Sequence, residues 1–107
     1  MNISENIKKI HQEVTTWRHE LHANPELCYE ENWTAKYSAE KLKSFGIEVH
    51  NKIGKTGIIG VLKGSNSQEH KSNRSIGLRA DMDALPIEEE NGFDYKTKFR
   101  GKMHACV

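Results

Sequence analysis

The stretch from Ser75 to Asp83, SIGLRADMD, decides the fold of this sequence. It predicts a β-strand that ends in two carboxylates at alternate positions, Asp81 and Asp83. Side chains two apart on a strand point to the same face, so both carboxylates should emerge together at the carboxyl end of the strand. In open α/β sheets ligands bind at that end, and two anionic groups there repel each other unless a cation or a proton lies between them. Two solvated turn aspartates before Pro86 are an alternative of about equal weight.

Two helices are predicted upstream of this strand. Apolar residues at spacings of three and four form one stripe of a first helix from about Ser4 to about Ala23, which ends near Asn24-Pro25 because proline lacks the amide donor. A second amphipathic helix is predicted from about Glu30 to Phe45. Gly46 supplies its left-handed stop, and Ile47 follows where a Schellman motif has its apolar contact.

A hairpin is predicted between the second helix and the strand that ends at Asp83. Ile47, Val49 and Ile53 give its first short strand, and residues 57–62, GIIGVL, give its second. Residues 63–74 contain no large apolar side chain and are expected to form an exposed connection. The predicted fold class is therefore α/β, with two helices followed by about three strands and no internal repeat.

Composition excludes several classes of function. With 16 Lys and Arg against 15 Asp and Glu in 107 residues, the charges nearly cancel and no basic run appears, so neither nucleic acid nor membrane is an expected partner. No apolar stretch is long enough for a signal peptide or a membrane span, which predicts a cytoplasmic location. Two cysteines are too few for a disulfide framework and are expected to be thiols. The motifs of serine hydrolases and nucleotide-binding proteins are missing from the sequence.

His104 and Cys106 form an H-x-C pair near the end of the sequence. Imidazole nitrogen and thiolate sulfur are both good zinc ligands, but a zinc site needs three or four of them, so an isolated pair is more often incidental.

Three further groups of residues are interpreted as structural. Arg18, His19 and His22 lie around the end of the first helix, where metal chelation or a proton relay is an alternative to bonding the free helix carbonyls. The run of Glu88 to Glu90 is interpreted as solvated surface without a role. Cys28 is expected to pack as a small apolar side chain rather than to act as a nucleophile.

Four motifs follow one another in the sequence: residues 17–22, WRHELH; residues 25–27, PEL; residues 79–87, RADMDALPI; and residues 101–106, GKMHAC. In this order they resemble the motifs of the hippurate hydrolase and N-acyl-amino-acid amidohydrolase family, which comprises dizinc-type metallopeptidases related to aminoacylase and carboxypeptidase. The resemblance covers the sequence from about residue 5 to residue 106, and the four motifs together are far more specific than any one of them alone.

The resemblance implies that residues 1–107 are the amino-terminal portion of a three-layer α/β/α catalytic domain, without the inserted lid that mediates dimerisation in many members. It implies that Asp83 supports the metal site and orients the general base, and that Cys106 is a metal ligand. Asp81 and His104 are expected near the site. The peptide bond after Asp83 is often cis in relatives.

By resemblance, the complete enzyme is a metal-dependent amidohydrolase that uses zinc, manganese or cobalt to hydrolyse the amide bond of small N-acyl amino acids such as hippurate. The sequence stops at Val107, where relatives continue with Gly-His-Asp, and it lacks their paired glutamates and later histidines. We therefore expect these 107 residues to bind metal weakly or not at all, and to be inactive alone. We also expect association through exposed apolar surface, including homo-oligomers. The alternative is a non-catalytic interaction module that docks on a full-length homologue.

Overall fold

The structure is a computed structural model that describes residues 3–64 and 74–105. Helix α1 spans Glu5–Ala23. It begins after Ser4, whose hydroxyl accepts a hydrogen bond from the Asn6 amide at 3.3 Å and so satisfies one of the free amides of the first turn. The helix ends one residue before Asn24, and Pro25 follows. The first predicted helix is thus confirmed at both ends.

Helix α2 spans Asn32–Ser44 and begins two residues later than predicted. Its first free amides are capped from the preceding loop, because the Glu26 carboxylate accepts from the amides of Trp33 at 3.0 Å and Thr34 at 2.7 Å. At the other end Gly46 has a φ of 75°, its amide bonds the Lys43 carbonyl, and the following amide bonds the Leu42 carbonyl. These two bonds are the predicted Schellman motif.

The predicted hairpin is also confirmed, as strands β1 (Glu48–Ile53) and β2 (Gly57–Val61). The strands pair antiparallel, Glu48 opposite Val61 and Ile53 opposite Gly57, with a register irregularity between His50 and Ile53. The hairpin packs on α2 at Gly60, where an added Cβ would lie 3.0 Å from the Ile47 side chain and 3.4 Å from Leu42. A larger side chain at residue 60 would push the hairpin off the helix.

Buried apolar side chains are few and small in the described residues. They are Ala23, Ala39 and Ala84, with Pro25 fully buried beside them. The apolar stripe of α1 stays largely in solvent, since Ile7 is 57% exposed, Ile10 50% and Val14 42%. Helices α1 and α2 meet through a tilted contact of Trp17 with Phe45, whose ring centres are 5.9 Å apart, and through a hydrogen bond from the Tyr37 hydroxyl to Glu20.

The predicted third strand is wrong for this structure. Residues 74–83 form neither strand nor helix, and two of their large apolar side chains face solvent, Ile76 at 91% and Leu78 at 96% exposure. A strand of this kind is stable only between neighbouring strands that pair its backbone and cover its faces. The described residues contain only the β1–β2 pair as a sheet, and this segment does not join it.

Two other expectations concern the loops. Cys28 is exposed, so its predicted packing as a small apolar residue is wrong; Pro25 and Ala84 fill the buried space near this loop instead. The exposed connection predicted for residues 63–74 falls mostly on residues 65–73, which lie outside the described residues. No helix in the described part of the chain is long and apolar enough to cross a membrane.

Candidate functional site

Three chain segments meet around Ala84, which is 3% exposed. The Ala84 amide donates to the Glu26 carbonyl at 2.7 Å, and an isolated parallel bridge joins Ala84 to Leu27. The next residue, Leu85, forms an antiparallel bridge with Met103 through two backbone hydrogen bonds of 2.9 and 3.0 Å. This junction brings the two candidate site residues that flank it, Asp83 and His104, together.

The His104 ring is the most unusual group at the junction. Its Nε2 atom is buried and has no hydrogen-bond partner in the described residues. Burial lowers the pKa of His104, and the nearby His22 lowers it further; a hydrogen bond to the Asp83 backbone and the Asp83 charge act in the opposite direction without restoring it. The direction of this shift favours the neutral ring, in which one nitrogen can accept a hydrogen bond or coordinate a cation.

The two aspartates predicted to share one face have different surroundings. Asp83 is half-buried beside His104. Asp81 has a side chain that is 67% exposed and is paired with Arg79 at 2.7 Å, and the Arg79 side chain is itself 88% exposed. Because no strand forms here, the alternation that would align the two carboxylates is lost. The peptide bond after Asp83 is trans.

Glu89 is the residue that the sequence analysis missed. Its side chain is 1% exposed, so the expectation of a solvated surface residue without a role is wrong at this position. Its Oε1 accepts from His22 Nε2 at 2.8 Å and from Asn91 Nδ2 at 3.0 Å, and its Oε2 accepts from the Thr97 amide at 2.6 Å. The neighbouring Glu88 and Glu90 are exposed, so a run of identical residues hides one buried member. No local signal distinguishes that member from the other two.

These donors keep Glu89 charged. Burial by itself raises the pKa of the Glu89 carboxyl, but the hydrogen bonds from Thr97, His22 and Asn91, together with the His22 charge, outweigh it and lower the pKa to about 2. Glu89 is thus an anion that accepts hydrogen bonds in a place from which water is excluded.

Aromatic rings enclose the His22 side of this pair. The His22 ring makes edge contacts with Phe93 and Tyr95, at centre distances of 5.6 and 5.8 Å, and lies 6.5 Å from the His104 ring. On the outer side Tyr95 stacks on His19 at 3.6 Å. His22 therefore bonds a distant carboxylate rather than the last carbonyls of its own helix, which corrects the capping role expected for it.

The donors around Asp83 fit part of a divalent metal site. His104 offers a neutral imidazole nitrogen without a partner, and Asp83 a carboxylate; both are common ligand types for zinc, manganese and cobalt. Within residues 3–64 and 74–105 no group of three or more such side chains comes together. Cys106, the predicted ligand, lies outside the described residues, so its position relative to Asp83 stays a prediction.

Known proteins resemble this chain over nearly its whole length, although no family model matches it. Hippurate hydrolase of Campylobacter jejuni is 50% identical over 106 residues, which is 99% of this chain and 26% of that protein. The N-acyl-L-amino acid amidohydrolase of Geobacillus stearothermophilus is 43% identical over 95% of this chain and 27% of its own length.

Solved structures agree with the sequence comparison. The YXEP protein of Bacillus subtilis, described as a dinuclear metal binding peptidase of the M20 family, superposes with a TM-score of 0.81 at 36% identity, over 92% of this chain and 27% of that one. By fold and sequence the chain is thus similar to part of an α/β domain of a dinuclear metal-binding peptidase. The resemblance to the hippurate hydrolase and N-acyl-amino-acid amidohydrolase family is confirmed, and the chain spans about a quarter of the length of the relatives it matches.

Proposed function

We propose that this chain forms the Asp83 and Cys106 part of the metal centre of an amidohydrolase that cleaves N-acyl amino acids of the hippurate type. The observation that carries the proposal is the position of His104, whose ring contacts the Asp83 backbone, has a buried Nε2 atom without a partner, and lies two residues before Cys106. The 50% identity to a hippurate hydrolase supports the choice of substrate class.

Each residue has a defined part in this proposal. Cys106 would hold the ion through its thiolate, and Asp83 would orient the neighbouring groups from behind the ligands. His104 and Asp81 would lie near the centre in this proposal. When bound, a divalent ion (zinc, manganese or cobalt) supplies polarisation of the amide carbonyl and activation of water for the attack.

The direct test is a chimera in which the matching quarter of the Campylobacter jejuni hippurate hydrolase is replaced by this chain. We expect the chimera to hydrolyse hippurate and the Asp83→Asn variant to lose about 10 to 100-fold in kcat, the usual effect of losing a group that supports metal ligands. Asp94→Asn, which changes an exposed carboxylate elsewhere, is the matched control.

Metal content provides a second measurement on the same chimera. Cys106→Ala should lower the bound metal, whereas Cys28→Ala, which removes an exposed thiol, should leave it unchanged. A folded, metal-loaded chimera without turnover would contradict the proposal, as would full activity in Asp83→Asn.

The 107 residues alone are expected to be inactive, because the proposal gives them only a share of the centre. The chain would be assayed with hippurate and N-acetyl amino acids in the presence of zinc, manganese or cobalt. Turnover above blank that disappears in Cys106→Ala would overturn this expectation. The proposal also includes a cytoplasmic location, because the sequence contains no apolar stretch of the length of a membrane span. It includes self-association through exposed apolar surface, because Ile76 and Leu78 are exposed.

A further inference from the structure

We infer that Glu89 is a positioning residue: through His22 it fixes the segment that carries Asp83 and His104 against the end of α1. The inference rests on the proposed function for its consequence in catalysis, but its geometry stands without it. Glu89 has no described contact with Asp83 and acts through other residues.

The first step is that only a carboxylate fits this place. Three donors converge on Glu89: the ring of His22 and the amide of Asn91 on Oε1, and the backbone amide of Thr97 on Oε2. A carboxylate accepts on both oxygens and donates nothing. A glutamine in either orientation would turn its own NH2 group toward at least one of these donors. The isosteric change Glu89→Gln therefore removes hydrogen bonds while adding almost no volume.

The second step is that Glu89 closes the long loop between the two site residues. It lies six residues after Asp83 and bonds Thr97, eight residues further along the chain. Its hydrogen bond to His22 joins two residues that are 67 positions apart in the sequence, and it attaches this loop to α1. One backbone bond, from the Lys98 amide to the Ala23 carbonyl at 3.0 Å, supports the same attachment. Among the described side chains, Glu89 is the one buried carboxylate that joins the loop both to itself and to the helix.

The third step connects the pair to the site. The His22 ring lies 6.5 Å from the His104 ring. If the bond to Glu89 is lost, the His22 ring is free to turn, and the ring of His104 loses a fixed neighbour. Since His104 contacts the Asp83 backbone, a change in the orientation of the His104 ring also changes the surroundings of Asp83, although residue 83 itself is not substituted.

The test is nuclear magnetic resonance of the 107-residue chain, labelled with nitrogen-15. With Glu89 as acceptor, His22 must carry a proton on Nε2, and the signal of this N–H group should show slow proton exchange. In Glu89→Gln we expect this signature to disappear and the His104 ring and Asp83 amide signals to shift. The amides of β1 and β2 should keep their native positions.

Matched variants separate positioning from general damage. Glu90→Gln, the same chemical change one residue away on the surface, should resemble the native chain. His22→Leu should reproduce the shift of the Asp83 amide signal seen in Glu89→Gln, while His22→Gln, which keeps a donor near the place of Nε2, should leave that amide signal at its native position. In the hippurate hydrolase chimera, Glu89→Gln should lower kcat about 10 to 100-fold with an unchanged KM.

Two results would overturn the inference. One is a folded Glu89→Gln chain in which the His104 and Asp83 signals do not move. The other is loss of the whole fold in both Glu89→Gln and His22→Leu, which would make the pair a general structural element. If only Glu89→Gln fails to fold, the signals of His22→Leu test the inference, because this variant leaves Glu89 two of its donors. An inactive chimera would count against the proposed function alone, since the resonance signals do not depend on turnover.

Discussion

The region from α1 to β2 and the segment from Ala84 to Ala105 are held in place by different interactions. The first consists of helices and a hairpin whose backbone bonds are local, and it leaves the apolar stripe of α1 half in solvent. The second has no helix or strand, yet it contains the 1% exposed Glu89 with its three donors. A side chain can therefore be buried in this molecule without lying in a helix or a strand. The candidate site adjoins the second region, Ala84 to Ala105, which is called the irregular segment below; the first is called the regular region.

The largest expected effect is on the buried carboxylate of the irregular segment. Glu89→Ala should lower the free energy of unfolding by about 2 kcal/mol, because it leaves the buried His22 ring and the Thr97 amide without an acceptor. Urea unfolding followed by fluorescence would measure it. Glu90→Ala should stay within about 0.5 kcal/mol of the native chain. Equal losses of stability in Glu89→Ala and Glu90→Ala would mean that the buried carboxylate does not hold the irregular segment in place.

The same carboxylate predicts a dependence on pH. The pKa of Glu89 is lowered from 4.5 to about 2, so folding favours its ionised form. The stability that it contributes is complete above pH 4.5 and is lost as the pH falls from 4.5 toward 2. Urea midpoints measured across this window should fall less steeply in Glu89→Gln than in the native chain or in Glu90→Gln. Parallel curves for all three would contradict the prediction.

A smaller effect is expected at the end of α2, where the backbone itself is constrained. Gly46 has a φ of 75°, so Gly46→Ala should cost about 1 kcal/mol although the space around it is open. Gly92, in the irregular segment, has open space and no positive φ, and Gly92→Ala should cost nothing measurable. Thermal unfolding of both variants would measure this difference, and equal midpoints for the two would contradict the prediction.

The smallest effect on stability is expected in residues 74–83, which connect the two regions. Ile76→Ser and Leu78→Ser should each change the free energy of unfolding by less than about 0.5 kcal/mol, because these side chains are 91% and 96% exposed. Both changes should reduce self-association in sedimentation experiments, since they remove apolar surface from solvent. A loss well above 1 kcal/mol would mean that residues 74–83 are packed in solution.

Sequence periodicity predicted the regular region well, because its signals are local. The stripe of α1, the glycine at residue 46 and the turn before Gly57 each act within a few residues. The third strand was predicted wrongly because a strand's partners are not encoded in the strand itself. Glu89 could not be singled out, since its burial depends on His22, which is 67 residues away. The order of the motifs allowed Asp83 and His104 to be placed near one site, but periodicity did not predict their contact.

The junction at Ala84 has a consequence for the kinetics of folding. It joins residue 84 to residues 26 and 27, and residue 85 to residue 103, so two long loops must close before either set of bonds forms. Closing such loops carries an entropic cost that the neighbouring helices and the hairpin avoid. The chain should therefore acquire its helices and hairpin early and assemble the surroundings of Asp83 last.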